Sequence, residues 1–528
     1  MHLRFWFVTI TVVGALIAAT AVAALVAWPK PAFRAGGAAL AAVSLPGYAG
    51  HISSVRIVLA DGSSVPATLR DGKIWPVGKL SEGETVQVEV TASRPAWAAW
   101  LVGARSSREL TLTTPSAQLR GSWLQVKSGS DVEVGFTAPV AEVAFGRSPP
   151  QPLSPPSAYV PTDILASGPR SAGSLEIAAA ARSWELLPAP RRVTWFPALA
   201  RPQVLVEPRL GSALVPDQQI KLTFSQPIAT VLGSAQPKLS PSTPGHWRLI
   251  DAHTLTFTPS GNGFGLGEQV EIGLGQAVIP AGQSASSATS TLTWQVPLGS
   301  TLRLQQLLAT LGYLPLSWQA TSATPQTARQ ELAAALNAPS GHFHWRYADT
   351  PPSLKALWQA GQSNEITRAA VMSFEHNSGL AVDGIAGPLV WHQLLDDTTS
   401  GSGKQSGYSY VFVHRTVPQS LNLWVDGKVI LSSPGNTGVP EAPTALGTFA
   451  VFEHIPIGTM SGTNPDGSHY HDVGIRWISY FHHGEAIHSF NRASYGTPQS
   501  LGCVELPIAA AAKVWPYTPI GTLVTIEN

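Results

Sequence analysis

Between residues 35 and 298 apolar and polar side chains alternate over short runs, which predicts β-strands. Between residues 35 and 200 the clearest runs are residues 55–59, 85–90 and 132–136. A period of two places successive side chains on opposite faces, as in a half-buried strand. We therefore expect one β-rich module over residues 35–200, or two that divide near Pro115. The proline-rich residues 148–161 are expected to form an exposed loop or linker.

A second group of short strands is predicted over residues 201–298. The candidate strands are residues 220–224, 246–250, 254–257 and 269–272. Short strands that recur between turn residues are typical of a β-sandwich. Their rhythm resembles that of bacterial Ig-like domains, and this resemblance implies a spacer without functional residues of its own.

The pattern changes to helical spacing at about residue 300. Residues 304–314 read LQQLLATLGYL, and residues 369–395 read AAVMSFEHNSGLAVDGIAGPLVWHQLL. Apolar residues three and four apart predict one helix that ends at Gly312 and a second that begins at Glu365. Proline is tolerated in the first turn of a helix, so a third helix is expected to start at Pro388.

These two segments resemble the repeat of the peptidoglycan-binding domain of three short helices. Glu375 replaces the glutamine that is usual in that repeat. The resemblance implies a wall-binding module over residues 299–399, with an insertion at residues 315–361. The alternative is a degenerate copy that only braces the domain after it.

The C-terminal part of the chain returns to a β pattern. Residues 400–407 read SGSGKQSG, a composition typical of a flexible linker. Strands are predicted at residues 410–413 and 421–425, and Asp426-Gly427 is a strong hairpin signal. A further β-rich domain is therefore expected over residues 408–528.

The N-terminus carries a long apolar run. Residues 5–28 contain no charged side chain and lie between Arg4 and Lys30. That length spans a bilayer of about 30 Å as a helix, whereas the apolar core of a cleaved signal has about 7–15 residues. We expect residues 1–34 to form an uncleaved membrane anchor; the alternative is a signal cut at its alanine-rich end.

Composition narrows the choice of partners. The net charge is +1 and only 12% of residues are charged, compared with about 25% in typical soluble domains. This balance gives no reason to expect nucleic acid as a partner. The 48 glycines and 44 prolines favour β-rich modules with many turns.

The chain contains one cysteine, Cys503, which lies fifteen positions after His488. A cysteine attacks as its thiolate, and a nearby histidine can remove the proton. An unpaired thiol in an exported protein is a liability unless it is used. The alternative interpretation is a small buried apolar residue without chemistry.

The sequence around this pair, IHSFNRASYGTPQSLGCVEL over residues 487–506, resembles the active-site motif of the L,D-transpeptidases of the YkuD type. His488 matches the general base of the family, and Ser489 matches the residue whose carbonyl orients it. Ser500, Gly502 and Cys503 match the SxGC core. The resemblance also extends to PTALGTFAV at residues 443–451, and it implies a mixed β-sandwich with the thiol at its rim.

Two positions depart from the family motif. Leu501 stands where the family usually has His or Arg, and Glu505 stands where it usually has Asn or Arg. His488 is thus the only motif histidine that can act as a base. A carboxylate at Glu505 is expected to raise the pKa of Cys503 unless it is paired or held away. Substrate contacts are expected at Ser500, Leu501 and Glu505.

The mechanism that the resemblance implies is acyl transfer in two steps. Cys503 attacks a peptidoglycan stem tetrapeptide and expels its terminal D-alanine, and an amine from a neighbouring stem then resolves the thioester to give a 3→3 cross-link. Backbone N–H groups of Gly502 and Cys503, with the Tyr470 hydroxyl, would bind the oxyanion. The resemblance implies no cofactor.

Three alternatives remain open at the level of sequence. Water as the acceptor would make the same site an L,D-carboxypeptidase. A decayed domain would leave a membrane-anchored peptidoglycan-binding protein without activity. The third alternative is a zinc-dependent wall peptidase, because six histidines lie between His454 and His488, although no HExxH motif is present.

The chain is thus expected to be a multi-domain, mainly β protein. Its predicted parts are a transmembrane helix, Ig-like β-sandwich modules, a small three-helix peptidoglycan-binding domain and a C-terminal mixed β-sandwich transpeptidase domain. We expect a monomer in the cell membrane with a single span and its body outside the cytoplasm. Its expected partners are the membrane and peptidoglycan stem peptides, and no metal site is expected.

Overall fold

The computed structural model describes residues 13–16, 18–20, 23, 27–127, 130–162, 172–275, 278–281, 291–404 and 406–528. The chain forms two compact units: residues 1–205 with 281–284, and residues 206–280 with 285–528. The expected anchor, residues 5–28, falls mostly outside the described residues. Within the described part of the chain, no helix is both long and apolar enough to cross a membrane.

The first unit contains two β-sheets with separate cores. A seven-stranded sheet has the order β1-β2-β5-β4-β3-β6-β7, and a five-stranded sheet has the order β10-β9-β11-β12-β8. In chain order the elements are β1 (Ala32–Arg34), β2 (Ala41–Ser44), β3 (His51–Leu59), β4 (Ser64–Arg70), β5 (Lys73–Pro76), β6 (Thr85–Ser93), α1 (Ala96–Val102), β7 (Arg105–Thr113), β8 (Trp123–Val126), β9 (Glu133–Phe145), β10 (Gln151–Pro161), β11 (Gly173–Ala180) and β12 (Arg191–Pro197). The three strands predicted from alternation lie in β3, β6 and β9.

The proline-rich residues 148–161 were expected to be a loop, and this expectation is wrong for most of the segment. β10 occupies Gln151–Pro161 and pairs with β9. It is the edge strand of its sheet. Proline removes a backbone donor, which an edge strand tolerates because one side of it has no neighbour. The register shifts twice along β10, between Pro152 and Tyr159.

The strands predicted over residues 201–298 form a five-stranded sheet with the order β16-β17-β14-β13-β19 and a three-stranded sheet with the order β15-β18-β20. The elements are β13 (Gln203–Glu207), β14 (Ile220–Phe224), α2 (Ile228–Val231), β15 (Lys238–Ser240), β16 (Gly245–Asp251), β17 (Thr254–Pro259), β18 (Gln269–Gly273), β19 (Ile279–Pro280) and β20 (Thr291–Gln295). Alternate residues of β18 and β20 are buried, as the period of two predicts. Membership of the Ig-like class stays a prediction.

The helices predicted after residue 300 are confirmed. The elements are α3 (Thr301–Thr310), β21 (Leu316–Ala320), α4 (Ala328–Leu336), β22 (Gly341–Trp345), α5 (Pro352–Ala356), α6 (Glu365–Ser378) and α7 (Pro388–Ser400). Each of the long helices starts at a local signal: Ser300 caps α3, Asn364 caps α6, and Pro388 is the first residue of α7. The predicted insertion holds a two-stranded sheet, β21-β22, and the capped helix α4.

The C-terminal region consists of two sheets that face a common core. Their orders are β25-β24-β23-β31-β26 and β27-β28-β29-β30. The elements are β23 (Ser409–His414), β24 (Ser420–Val425), β25 (Lys428–Pro434), β26 (Gly447–Ala450), β27 (Glu453–Thr463), β28 (His469–His482), β29 (Glu485–Ser489), β30 (Val504–Leu506), α8 (Ile508–Val514) and β31 (Leu523–Glu527). Val411 and Leu423 from the first sheet pack with Ile487 and Val504 from the second.

The helical module and the C-terminal sheets share a core. Tyr410, Trp424 and Leu523 from the C-terminal region belong to the same buried cluster as the apolar faces of α3, α6 and α7. The Trp424 indole donates to the Asp349 carbonyl at 3.0 Å, and the Tyr347 hydroxyl donates to Asp426 at 2.6 Å. The two parts are therefore packed against each other despite the glycine-rich linker between them.

Candidate active site

Strands β29 and β30 bring the two motif segments together. They pair in parallel, with Ile487 opposite Val504 and His488 opposite Glu505. Cys503 directly precedes β30, so its side chain lies beside the strand that carries His488. A cavity of about 500 Å³ opens here. Of the eight predicted site residues, six line it: Cys503, His488, Tyr470, Ser500, Leu501 and Glu505.

The loop before Cys503 is held by the segment that follows β25. Asn436 is fully buried and exchanges backbone hydrogen bonds with Glu505 at 3.0 and 2.9 Å. Its side-chain oxygen accepts from the Gly496 N–H at 2.9 Å. The Ser500 hydroxyl donates to the Cys503 carbonyl. These bonds fix the backbone on both sides of the thiol, and the Ser500 side chain, which lines the cavity, is buried.

Gly502 and Ser489 lie in closely packed surroundings. Gly502 has φ +109°, a conformation that favours glycine, and a Cβ there would lie 3.2 Å from the Glu485 side chain. Ser489 is buried, and its hydroxyl donates to the Arg476 carbonyl at 3.1 Å. Neither residue lines the cavity, although each is next to a residue that does, Cys503 and His488 respectively.

The imidazole of His488 is held in a defined orientation. Its Nδ1 lies 3.0 Å from the Ser489 carbonyl oxygen. A carbonyl can only accept, so Nδ1 carries the proton and Nε2 keeps its lone pair. His488 is 3% exposed, and burial lowers its pKa below the ordinary value of 6.5, although the bond to Ser489 and the charge of Glu505 act against this. The residue is therefore a neutral base at neutral pH.

The Cys503 side chain is a protonated thiol in this arrangement. Burial raises its pKa to about 12, and the charges of Glu505 and Glu485 act in the same direction. A hydrogen bond from the Ala486 backbone acts in the opposite direction. The Sγ atom lies 3.8 Å from the Gly484 carbonyl, within range of a weak S–H bond. Chemistry at this thiol thus needs a base that removes the proton during attack.

Glu505 is paired with a residue that sequence reasoning missed. Arg492 donates from Nε to one Glu505 oxygen at 2.8 Å and from Nη2 to the other at 2.7 Å. Arg492 also donates to the Gln499 carbonyl at 3.1 Å, and its guanidinium lies over the Phe490 ring at 4.5 Å. The signal available in the sequence was an arginine, opposite in charge to Glu505, thirteen residues before it. The carboxylate that departs from the family motif is therefore paired with a guanidinium.

The hairpin β27-β28 contributes the opposite wall of the cavity. Tyr470 pairs with Gly462, and Asp472 pairs with Met460. A Cβ on Gly462 would lie 2.6 Å from the Tyr470 hydroxyl, so this glycine makes room for the ring. Burial raises the pKa of Tyr470, and the nearby Cys503 and Asp472 add to the effect. Tyr470 and Asp472, which lie on the same face of β28, both line the cavity.

The other histidines of this region pair individually with neighbours. His471 bonds to Ser461 at 2.7 Å across the ladder, His482 bonds to Glu485 at 3.2 Å, and His454 stacks on Trp515 at 4.1 Å. Among the described residues, no group of three or more His, Cys, Asp or Glu side chains is arranged to hold a metal ion.

Two family models match this chain. The L,D-transpeptidase catalytic domain (YkuD) matches residues 408–526, and a putative peptidoglycan-binding domain matches residues 352–394. The second match begins at α5, inside the predicted insertion, and excludes the LQQLLATLGYL segment. No curated protein matches the chain.

Several solved structures are similar to parts of the chain. An L,D-transpeptidase from Mycobacterium smegmatis is 13% identical, and the match covers 62% of this chain and 99% of that one. L,D-transpeptidase 3 from Mycobacterium tuberculosis is 12% identical, with 61% and 97% covered. The catalytic domain of an Enterococcus faecium L,D-transpeptidase is 25% identical, with 23% and 99% covered. All three TM-scores are 0.21, so these likenesses support no functional conclusion, and the two family models are what identify the domains. The chain thus carries an L,D-transpeptidase catalytic domain (YkuD) at residues 408–526 and a putative peptidoglycan-binding domain at residues 352–394, which together support a cell-wall L,D-transpeptidase.

Proposed function

We propose that this enzyme forms 3→3 peptidoglycan cross-links through a thioester on Cys503. The observation that carries the proposal is that Cys503 and His488 line one cavity from adjacent paired segments, with the His488 Nδ1 held by the Ser489 carbonyl. The Nε2 lone pair is then available for the thiol proton. A neutral imidazole beside a protonated thiol is the arrangement that general-base activation of a cysteine requires.

In the first half-reaction, the His488 Nε2 removes the proton from the Cys503 Sγ as sulfur attacks the carbonyl at the L-centre of a stem tetrapeptide. The C–N bond to the terminal D-alanine breaks, and the imidazolium returns the proton to the leaving amine. Backbone N–H groups at Gly502 and Cys503 and the Tyr470 hydroxyl are the proposed donors to the oxyanion. One such donor typically contributes about 10²–10³ in rate.

In the second half-reaction, an amine of a neighbouring stem gives its proton to His488 and attacks the thioester. The C–S bond breaks, and the sulfur regains the proton. The acceptor arrives as an ammonium ion and loses one proton to solvent to become the attacking amine, and Asp472 supports this choice of acceptor. Its carboxylate lines the cavity beside Tyr470 and acts electrostatically on both Tyr470 and His488. We assign to Asp472 the binding of the acceptor ammonium, in preference to water.

The remaining parts of the chain serve to place this site at the cell wall. Residues 5–28 are long enough to hold the chain in the cell membrane with a single span, and peptidoglycan as substrate requires the body to lie outside the cytoplasm. The β modules between anchor and enzyme act as spacers, and the enzyme acts as a monomer. A cleaved signal at residues 1–34 would instead release the same body.

The test is the intact mass of the full chain after incubation with a stem tetrapeptide and, separately, with a carbapenem, the inhibitor class that the family resemblance implies. The wild type should gain one acyl group, and Cys503→Ala should gain none. His488→Ala should acylate far more slowly with the fold intact. An adduct on Cys503→Ala, or none on the wild type, would overturn the proposal. Product analysis with an added amine separates cross-linking from hydrolysis.

A further inference from the structure

One end of the seven-stranded sheet carries a cluster of exposed aromatic side chains. Trp97, Trp100 and Tyr48 are 67%, 79% and 66% exposed, and Leu101 beside them is 38% exposed. Large apolar side chains that are grouped and exposed mark an interaction surface. We call the set Trp28, Tyr48, Trp97, Trp100 and Leu101 the aromatic tip.

The strand register places these residues at the same end of the sheet. His51, the first residue of β3, pairs with Ser93, and Ser93 pairs with Arg105. α1, which carries Trp97 and Trp100, joins β6 to β7 at that end. The 3₁₀ turn Gly47–Ala49, which carries Tyr48, leads into β3 at the same end.

Trp28 joins the tip to the apolar N-terminal run. Its ring meets the Trp97 ring edge to face at 5.5 Å, and its indole donates to the Ala49 carbonyl at 3.2 Å. Arg108 then donates to the Pro31 carbonyl at 3.1 Å, which holds the following residues against β7. The last residue of the 24-residue run 5–28 is thus fixed within the tip.

The two segments that carry the tip hold charged side chains of one sign, and the β4-β5 turn at the same end of the sheet adds Asp71 between Arg70 and Lys73. Residues 28–51 and 93–105 contain Lys30, Arg34, Arg94 and Arg105, and they contain no Asp or Glu. Tryptophan and tyrosine are enriched at membrane–water interfaces, where the ring is buried and the polar atom stays hydrated. Lysine and arginine next to such a surface are attracted by anionic headgroups.

We propose that the aromatic tip inserts into the headgroup region of an anionic phospholipid bilayer. The proposal rests on the anchoring role proposed for residues 5–28, because that run would leave the bilayer at Trp28. The membrane surface is then the first surface that Trp97 and Trp100 meet. Contact there would orient the first β unit on the membrane, in addition to the tether that the anchor provides.

The experiment uses the full chain with Cys503→Ala, so that one new cysteine can carry an environment-sensitive fluorophore. Ala104→Cys places it beside α1, and the matched control Ala60→Cys places it at the opposite end of β3. Both alanines are exposed. The proteins are reconstituted into phosphatidylcholine vesicles that contain phosphatidylglycerol and nitroxide-labelled lipid.

The label at residue 104 should shift its emission to the blue and be quenched several-fold more than the label at residue 60. Trp97→Ser with Trp100→Ser should abolish the difference without releasing the protein from the vesicles. Equal quenching at both positions, or failure of the chain to bind vesicles, would overturn the proposal. A blue shift in the emission of the residue-104 label on addition of purified peptidoglycan, without lipid, would also overturn the proposal. It would favour a glycan or peptide partner. Acylation of Cys503 is measured on the chain that keeps this cysteine, in a separate experiment, so the proposed chemistry can fail without affecting this result.

Discussion

Arg492 neutralises Glu505 through two hydrogen bonds, of 2.8 and 2.7 Å, directly beside the candidate nucleophile. The carboxylate of Glu505 is 5% exposed, so without a counter-charge it would be strongly disfavoured. Paired side by side, the two groups form the planar arrangement in which a guanidinium binds a carboxylate most strongly. The position that departs most from the family motif is thus compensated by a residue outside the motif.

Arg492→Gln is expected to destabilise the protein because it leaves the Glu505 charge buried and unpaired. We expect a loss of about 2–4 kcal/mol in the free energy of unfolding, below the full cost for a buried pair because Arg492 is 31% exposed. Unfolding in urea measures this loss in the free energy of unfolding. The double variant Arg492→Gln with Glu505→Gln should recover much of the loss. Equal stability of the single variant and the wild type would show that the pair is not needed.

The acid limit of acylation is expected to lie below pH 6.5. Because burial lowers the pKa of His488, the imidazole stays neutral when the pH falls through the ordinary value of 6.5, and the rate declines only below it. Rates of acylation by a carbapenem between pH 4.5 and 8 measure this. Glu505→Gln removes a charge that raises the pKa of His488, so the limit should move to still lower pH. A midpoint above 6.5 in the wild type would contradict the assignment.

Gly502→Ala is expected to reduce acylation strongly. Alanine is strained at φ +109°, and its methyl group would press on the Glu485 side chain. The backbone next to Cys503 would have to move, and we expect a loss of at least about tenfold in rate, because displaced donors bind the oxyanion poorly. Gly467→Ala is the matched control, since alanine is strained there as well, at φ +85°, but its Cβ meets no atom within 4 Å. If the two variants acylated equally fast, the backbone at Gly502 would have no such role.

Glu375→Gln is expected to make the stability of the protein less dependent on pH. Burial raises the pKa of Glu375 to about 7 from 4.5, so its contribution to stability is complete below pH 4.5 and is lost as the pH rises through 7. One of its oxygens accepts from the Asp383 and Gly384 N–H groups, and the other has no partner among the described residues. A glutamine amide keeps the acceptor and carries no charge.

Thermal unfolding at pH 5 and pH 8 tests this. From pH 5 to pH 8 the Tm of the wild type should fall by more than the Tm of Glu375→Gln. Glu365→Gln, at the exposed start of the same helix, is the control and should behave as the wild type does. If Glu375→Gln were as pH-dependent as the wild type, Glu375 would be ionised at neutral pH.

The sequence by itself determined the elements whose causes are local. Alternation predicted β3, β6 and β9, apolar spacing predicted the start of α6 at Glu365, and Pro388 predicted the start of α7. The Asp426-Gly427 turn appears with positive φ at both residues. The spacing of His488 and Cys503 identified the candidate pair, and the structure places both at one cavity. These features follow from residues near each other in the chain, so they can be deduced without the fold.

The tertiary structure decided which distant residues meet. Arg492 reaches Glu505 only because the loop between β29 and β30 folds back on the Asn436 segment. Tyr470 and Asp472 reach the cavity through the β27-β28 hairpin, and the proline-rich β10 is a strand because it lies at a sheet edge. The aromatic tip likewise depends on the register that joins β3, β6 and β7. Such contacts depend on how strands pair over long separations, and local periodicity does not specify that pairing.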